Sequence, residues 1–455
     1  MRIALISPKG PLYRYRKGIF RKSLRYMPLT LPTLTALVPQ ELGASVVCID
    51  EGIQDVDPGL DVDLVGMTVI TGSAMRAYEL AAQFRARGIR VVLGGPHVTL
   101  VPEDAAPHAD SIVVGYAEES WPQLLRDLAA GQLRPRYDQN PDLRLTGYPL
   151  PDRSVLSESH YLTANVFEAT RGCIHNCNFC VVPTAWGRKP YQKPVAAVVE
   201  DIRRRRARHA IFVDLNLIAD KEYAASLFEA LIPLRVSWYG LSTTLLTADE
   251  PLLSLAARSG CRGLLMGLES LSPAALRKSG KGFNDPADYA GVVEALHRHR
   301  IALQGCFVFG MDDDTPDVFL RTAKLAVAAK IDLPRYAILT PFPGTPLFRE
   351  LDAEGRVNHR DWSFYDGQHA VFRPANMTPR MLEKGTEAAW KHTYSLTSMW
   401  KRLRHTAAPW ATALGTNFGY RYYAHHLESV YNCDVMIPTS ASDSRPADEV
   451  AADVA

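Results

Sequence analysis

The chain has 455 residues, room for roughly two to four domains at about 100–200 residues each. Hydrophobic residues make up 47% and charged residues 22%, an ordinary globular balance that excludes disordered, collagen-like and disulfide-knot classes. Lys and Arg total 51 against 49 Asp and Glu, a net charge of +2, so no global polyanion-binding surface is implied and nucleic acid is not an expected partner.

The opening MRIALISPKG reads as a strand and turn rather than a signal peptide. No apolar run reaches the length of a transmembrane segment, and a cytoplasmic location is expected. Residues 1–135 alternate apolar runs with amphipathic stretches. Arg2–Ser7, Ser45–Asp50, 63–69, Arg90–Gly94 and 111–115 read as buried strands. A helix over 75–87 stops at Gly88, and one over 121–130 follows Ser120 as N-cap and stops at Gly131. This alternation predicts a Rossmann-like, doubly wound parallel sheet.

Residues 136–160, punctuated by prolines, read as a linker. Over 161–360 the alternation resumes, with strands at 165–170, 210–214, Ser237–Ser242, 263–268, Ala302–Phe309 and 335–339. Helices are expected at 220–231, 249–258 and 285–298. Six βα units predict a partial (β/α)6 barrel of the TIM type. A C-terminal helical, aromatic cap is expected over 361–435, and 436–455 reads as a disordered tail.

Cysteines stand at 48, 173, 177, 180, 261, 306 and 433. An odd, sparse count with three inside one short loop points to a metal site rather than a disulfide framework. Cys173, Cys177 and Cys180 form C-x3-C-x2-C directly after the first barrel strand, where barrel active sites lie. Three thiolates there suit an iron–sulfur cluster. The alternative is a structural zinc with His175 as a further ligand. The other four cysteines read as buried apolar residues.

The loop, with Phe179 before its last cysteine, resembles the signature of the radical S-adenosylmethionine superfamily. Four later stretches resemble that family's barrel in order. Phe212-Val213-Asp214-Leu215-Asn216 is similar to its second-strand acidic motif, with Leu215 in place of a second acid. Gly267-Leu268-Glu269-Ser270 resembles the Gly-x-Glu-Ser of the fourth strand, and Phe307-Val308-Phe309-Gly310-Met311 the fifth-strand segment. There the usual Pro-Gly is replaced by Asp312-Asp313-Asp314. Pro341-Phe342-Pro343-Gly344-Thr345 resembles the sixth-strand Pro-x-Pro-Gly-Thr.

The resemblance implies a [4Fe-4S] cluster on the three cysteines, with one iron open to the amino and carboxylate groups of S-adenosylmethionine. It implies reduction by a flavodoxin- or ferredoxin-type electron donor, and a 5′-deoxyadenosyl radical that takes hydrogen from unactivated carbon. The positions it assigns to S-adenosylmethionine are Phe179, Asp214, Asn216, Gly267, Glu269, Ser270 and Gly310. For Asn216 and Glu269 the plain alternative is a polar group capping a strand end.

Gly94-Gly95-Pro96-His97 follows a strand and precedes a helix, the junction where open sheets bind ligands. With 67–73 and Gly115-Tyr116-Ala117-Glu118, it resembles the cobalamin-binding domain fused to many radical S-adenosylmethionine enzymes. Thr68, Thr71, Gly94, Gly95, Pro96 and His97 are the cobalamin-binding positions implied. The Asp-x-His-x-x-Gly motif of histidine-ligated cobalamin proteins is absent, and residues 8–30 hold no histidine. Cobalamin bound without a histidine is the expectation, a domain that binds none the alternative. For His97 the alternatives are a corrin or phosphate contact and a structural hydrogen-bonder.

Residues 1–47 carry eight Lys or Arg and one acid. The run includes Arg14, Arg16, Lys17, Arg21, Lys22 and Arg25, and suits an anionic substrate, the cobalamin phosphate, peripheral contact with a membrane, or a solvated face. The stretch 361–367 is similar to one in hopanoid-methylase and porphyrin-modifying relatives. Together these readings imply a cobalamin-dependent C-methyltransferase acting on an unactivated carbon of a small-molecule, lipid or tetrapyrrole-like metabolite. The alternatives are a non-methylating cyclase, oxidase or rearrangement enzyme of the same class, and a zinc-stabilised binding protein without catalysis.

Overall fold

Two parallel six-stranded sheets, each wrapped by helices, organise the computed structural model, which describes residues 1–10 and 26–427. The basic residues from Arg14 to Arg25, Cys433 and the 436–455 segment lie outside the described residues.

The first sheet comprises β1 (Arg2–Ser7), β2 (Ser45–Asp50), β3 (Leu64–Thr68), β4 (Arg90–Gly94), β5 (Ser111–Val114) and β6 (Arg136–Asp138), ordered β2-β1-β3-β4-β5-β6. Its strands are apolar on both sides because both faces are covered. Ala4, Ile6, Val65, Met67, Val91 and Leu93 pack on one face with the helix Ala74–Ala86. Ile3, Leu5, Leu64, Val92 and Val113 pack on the other with Trp121 and Leu124 of the helix Ser120–Ala129. Ser120 lies inside that helix's first turn rather than capping it.

The linker expectation over 136–160 is corrected at its start. Arg136–Asp138 is an edge strand, and three residues with only Tyr137 turned inward are too short to show an alternation.

The second half contributes β7 (Val166–Phe167), β8 (Thr170–Arg171), β9 (Tyr191–Gln192), β10 (His209–Phe212), β11 (Ser237–Ser242), β12 (Cys261–Glu269), β13 (Ala302–Phe309) and β14 (Arg335–Ile338). Six of them form a parallel sheet in the order β14-β13-β12-β11-β10-β7. Two of its helices start at carboxylate caps: Asp220 accepts from Glu222 N and Tyr223 N, and Asp249 from Leu252 N. The strand expected over 165–170 is broken after Phe167. There the chain leaves the sheet, and β8 pairs antiparallel with β9.

Beyond the barrel, the helix Pro379–Thr393 lies along β14. Trp390 Nε1 donates to Tyr336 O at 3.1 Å, and the Tyr336 and Thr393 hydroxyls are 2.6 Å apart. Trp390, Tyr394 and Tyr420 stack, with Tyr423 edge-on to Trp390, in a cluster continuous with this core. These aromatics therefore build the barrel's flank, whereas Trp400, Trp410 and Phe418 are exposed. Among the described residues no helix is long and apolar enough to cross a membrane.

Arg402, 1% exposed, fastens this flank. Its guanidinium donates to the carbonyls of Asp332 at 2.6 Å and Thr393 at 3.1 Å and stacks on Tyr394. Removing it orphans buried carbonyls and opens a void. Arg402→Ala is expected to lower unfolding stability by about 3 kcal/mol, read as a lower denaturant midpoint.

Candidate active site at the junction of the two sheets

The C-terminal ends of the two sheets face each other. At the end of β4, Gly95 holds φ +101°, and a Cβ there would stand 2.8 Å from Val69 N and 2.9 Å from Val69 O. Only glycine fits this crossing between the ends of β3 and β4. Thr68 Oγ1 borders the same spot at 3.1 Å. Pro96–Leu100 then forms a short helix that packs against Val181–Trp186, the helix immediately following Cys180. The glycine turn and the cysteine loop are thereby brought to one interface.

Charge fixes that interface. Arg171, at the mouth of the cysteine loop, pairs with Glu118 of the first half at 2.6 Å and with Glu168 at 2.8 Å. Lys193 also reaches Glu168, at 2.8 Å. Burial alone would raise Glu168, but Arg171 and Lys193 overcome it and hold the carboxyl down at about 2. The Arg171 guanidinium lies over Tyr116, which stacks on Trp186.

Within the loop, Asn216 Nδ2 stands 3.9 Å from Cys173 Sγ, and Cys177 Sγ 3.9 Å from Gly280 O. Burial pushes the Cys177 thiol up to about 11, against the downward pull of Lys281, and raises Cys180 as well.

The strand ends around the loop carry the remaining residues. Glu269 ends β12 with φ +67°, and its carboxylate is 3.0 Å from Lys281 Nζ. Gly267 leaves the room this pair needs, since a Cβ there would meet Glu269 Oε1 at 2.0 Å. Ser270 is buried and its hydroxyl accepts from Ser272 N at 3.0 Å. Gly310 holds φ +104°, with its N–H donating to Asp314 at 2.8 Å. Asp314 so takes over the turn where Pro-Gly was the familiar pattern. Phe179 lines a partly open cleft with Asn178, Lys278, Met311 and Leu339.

The Radical SAM superfamily matches residues 167–326, and the B12 binding domain matches 44–125. The chain is 32% identical to the bacteriochlorophyllide d C-12(1)-methyltransferase of Chlorobaculum tepidum, covering 84% of this chain and 86% of that one. This chain belongs to the cobalamin-dependent radical S-adenosylmethionine enzymes. It is also 29% identical to the C-8(2)-methyltransferase of the same organism, over 82% of this chain and 86% of that one. The solved structure of the cobalamin-dependent radical enzyme OxsB, with aqua-cobalamin bound, shares the fold at TM-score 0.69 and 14% identity, over 94% of this chain and 72% of that one.

The cofactors of this radical S-adenosylmethionine enzyme are thus a [4Fe-4S] cluster, S-adenosylmethionine and cobalamin. A zinc-stabilised protein without catalysis is set aside by the same matches.

Three of the expected positions, His97, Thr71 and Asp214, have partners within the protein. His97 is fully buried. Its Nδ1 lies 3.3 Å from Thr71 Oγ1, and its Nε2 lies 3.1 Å from Tyr78 OH and 3.0 Å from Asp104. Both nitrogens, and Thr71, serve the packing of the first half. The Asp214 carboxylate accepts from the N–H groups of Ala169 and Thr170, the donors released where the chain leaves the sheet after β7. Sequence reasoning missed Arg171 and Lys281. Neither has a motif, because each is defined by a partner distant along the chain.

Burial, with the charge of Glu168 adding to it, pushes the Asp214 carboxyl up to about 7 despite those amide donors. The folded protein therefore holds this proton more tightly than the unfolded chain does. The associated stability is complete below the ordinary carboxylate pKa of about 4 and is lost as pH rises through about 7. Asp214→Asn, which accepts the same N–H groups without charge, is expected to flatten the fall in melting temperature between pH 5 and pH 8 (roughly, from that window), as thermal unfolding across pH reports.

Proposed function

We propose that this enzyme transfers a methyl group to an unactivated carbon of an apolar small molecule of tetrapyrrole or lipid type. The observation that carries the reading is the seating of the Gly95 turn against the helix after Cys180. It faces a cobalamin-type phosphate turn toward a three-cysteine loop across one interface. The cluster with S-adenosylmethionine supplies a carbon-centred radical, and cobalamin supplies the methyl group.

The chain's own residues bind and orient. Cys173, Cys177 and Cys180 would hold the cluster, with Cys177 buried and the other two half-buried at the loop. Phe179 and the cleft beside it would take an adenosine, with the Gly310 turn as its wall. Glu269, Asn216 and Ser270 offer a carboxylate, an amide and a hydroxyl to the polar end of the same molecule. The Gly94-Gly95-Pro96 backbone and Thr68 would face the corrin side. A one-electron donor of the flavodoxin or ferredoxin type completes the system.

The deciding experiment supplies S-adenosylmethionine labelled in its methyl group, with bacteriochlorophyllide d as the first acceptor because of the relatives named above. Label in the product together with 5′-deoxyadenosine is the expected result. 5′-Deoxyadenosine formed alongside an altered but unlabelled product would replace methyl transfer with ring closure or oxidation.

Two variants test the binding roles separately. Cys173→Ala is expected to lose the cluster, and a variant with a full complement of iron and sulfide after anaerobic reconstitution removes Cys173 from the ligand set. Gly95→Ala forces a methyl group onto Val69 in a left-handed backbone. It is expected to weaken cobalamin binding at least about tenfold, an order of magnitude matching about 1.4 kcal/mol, as measured by absorbance titration.

A further inference from the structure

Lys281 lies beside the cysteine loop without belonging to any motif. Its side chain is 13% exposed and that of Glu269 is 8% exposed, and the two are 3.0 Å apart. A buried ion pair contributes little stability once desolvation is counted, and Glu269 is held in the left-handed region at φ +67°, which costs more.

The surrounding chain is shaped to keep the pair in place. Gly267 leaves the space that the two charged ends occupy; a Cβ there would meet Glu269 Oε1 at 2.0 Å and Lys281 Nζ at 2.9 Å, so the pair would have to shift. Gly280, at φ +79°, lets the preceding turn sit on the loop, where a Cβ would meet Asn176 O at 2.6 Å. Asn178 N donates to Ser279 O at 3.2 Å, locking turn to loop. Gly280, the residue before Lys281, has its carbonyl 3.9 Å from Cys177 Sγ, which brings Lys281 to the edge of the cysteine loop. Its ammonium also lies over Phe283, whose ring is 4.5 Å from that of His175.

We propose that Lys281 is a positioning residue that sets the reduction potential of the cluster, with Glu269 as the opposing charge. The proposal rests on the assignment of the cluster to the three cysteines. Reduction adds one electron, delivered by the external donor, to a group already made negative by three thiolates. A nearby buried ammonium favours the reduced form, and a nearby carboxylate favours the oxidised form. Held as a pair, they set the potential by their difference. A substrate amine or other cation that engages Glu269 would leave the lysine charge less compensated and make the cluster easier to reduce. Binding and electron entry are thereby coupled.

The test is a redox titration of the reconstituted full-length enzyme without S-adenosylmethionine, followed by the paramagnetic signal of the reduced cluster. Lys281→Gln is expected to lower the midpoint, cutting the reduced-to-oxidised ratio at a fixed potential about tenfold, or ~59 mV for a one-electron couple. Lys281→Arg is expected to stay near the parent, and Glu269→Gln to shift the midpoint upward. Full cluster loading with Lys281→Gln and Glu269→Gln unmoved, or moved in the same direction, overturns the proposal.

If Lys281→Gln takes up no cluster, Lys281→Arg decides. Restored loading supports a charge role, and failure of both overturns it. An unmodified enzyme that forms no [4Fe-4S] cluster refutes the cluster assignment itself, whatever Lys281 does.

Discussion

One guanidinium joins the two halves of this enzyme. Arg171 leads into the cysteine loop, yet one of its two carboxylate partners, Glu118, comes from the other sheet. Because the site is largely closed to solvent, neither carboxylate can be left without its cation at modest cost. The relative placement of the halves is thus determined by charge as much as by apolar contact. Tyr116, sandwiched between that guanidinium and Trp186, adds a flat surface that resists sliding. The glycine turn and the helix after the cysteine loop meet alongside this junction.

The junction also explains why the chain leaves its first barrel strand so early. Continuing β7 would carry Thr170 and Arg171 along the barrel wall. Asp214 instead takes the free N–H groups of Ala169 and Thr170, and the following residues turn out to pair with Tyr191–Gln192. The family pattern has an acidic residue at this strand, and here it shapes the backbone that delivers the cysteines. Asn216, two residues on, is the member of that stretch whose side chain reaches a thiol.

Much of this was legible in the sequence, for physical reasons. Strands buried on both faces are long apolar runs, so β1 to β5 and β11 to β13 stand out, and Asp220 and Asp249 mark helix starts by cap chemistry. The Gly94-Gly95 pair after a strand announced close backbone approach. What was hidden is non-local. β6 depends on an edge to pair with, and the break after Phe167 depends on a carboxylate more than forty residues away. For His97 the sequence offered a corrin or phosphate contact or a structural hydrogen-bonder, and the structure gives its ring Tyr78 and Asp104 as partners. The C-terminal aromatics read as a helical cap by composition, and only the partners of Trp390 and Tyr394 show which of them are core.

The indole of Trp362 donates to Asp104 at 3.1 Å and packs with Phe348 and Tyr365 in the core of the first sheet. That places a residue made after the whole barrel inside the half that the ribosome makes first. The N-terminal half therefore leaves the ribosome with part of its interior still unsynthesised, and the last layer of that interior arrives only when the rest of the chain has emerged. Cutting the gene at the boundary between the two family matches would separate a core from its own cover. The two halves are consecutive in sequence but interleaved in assembly.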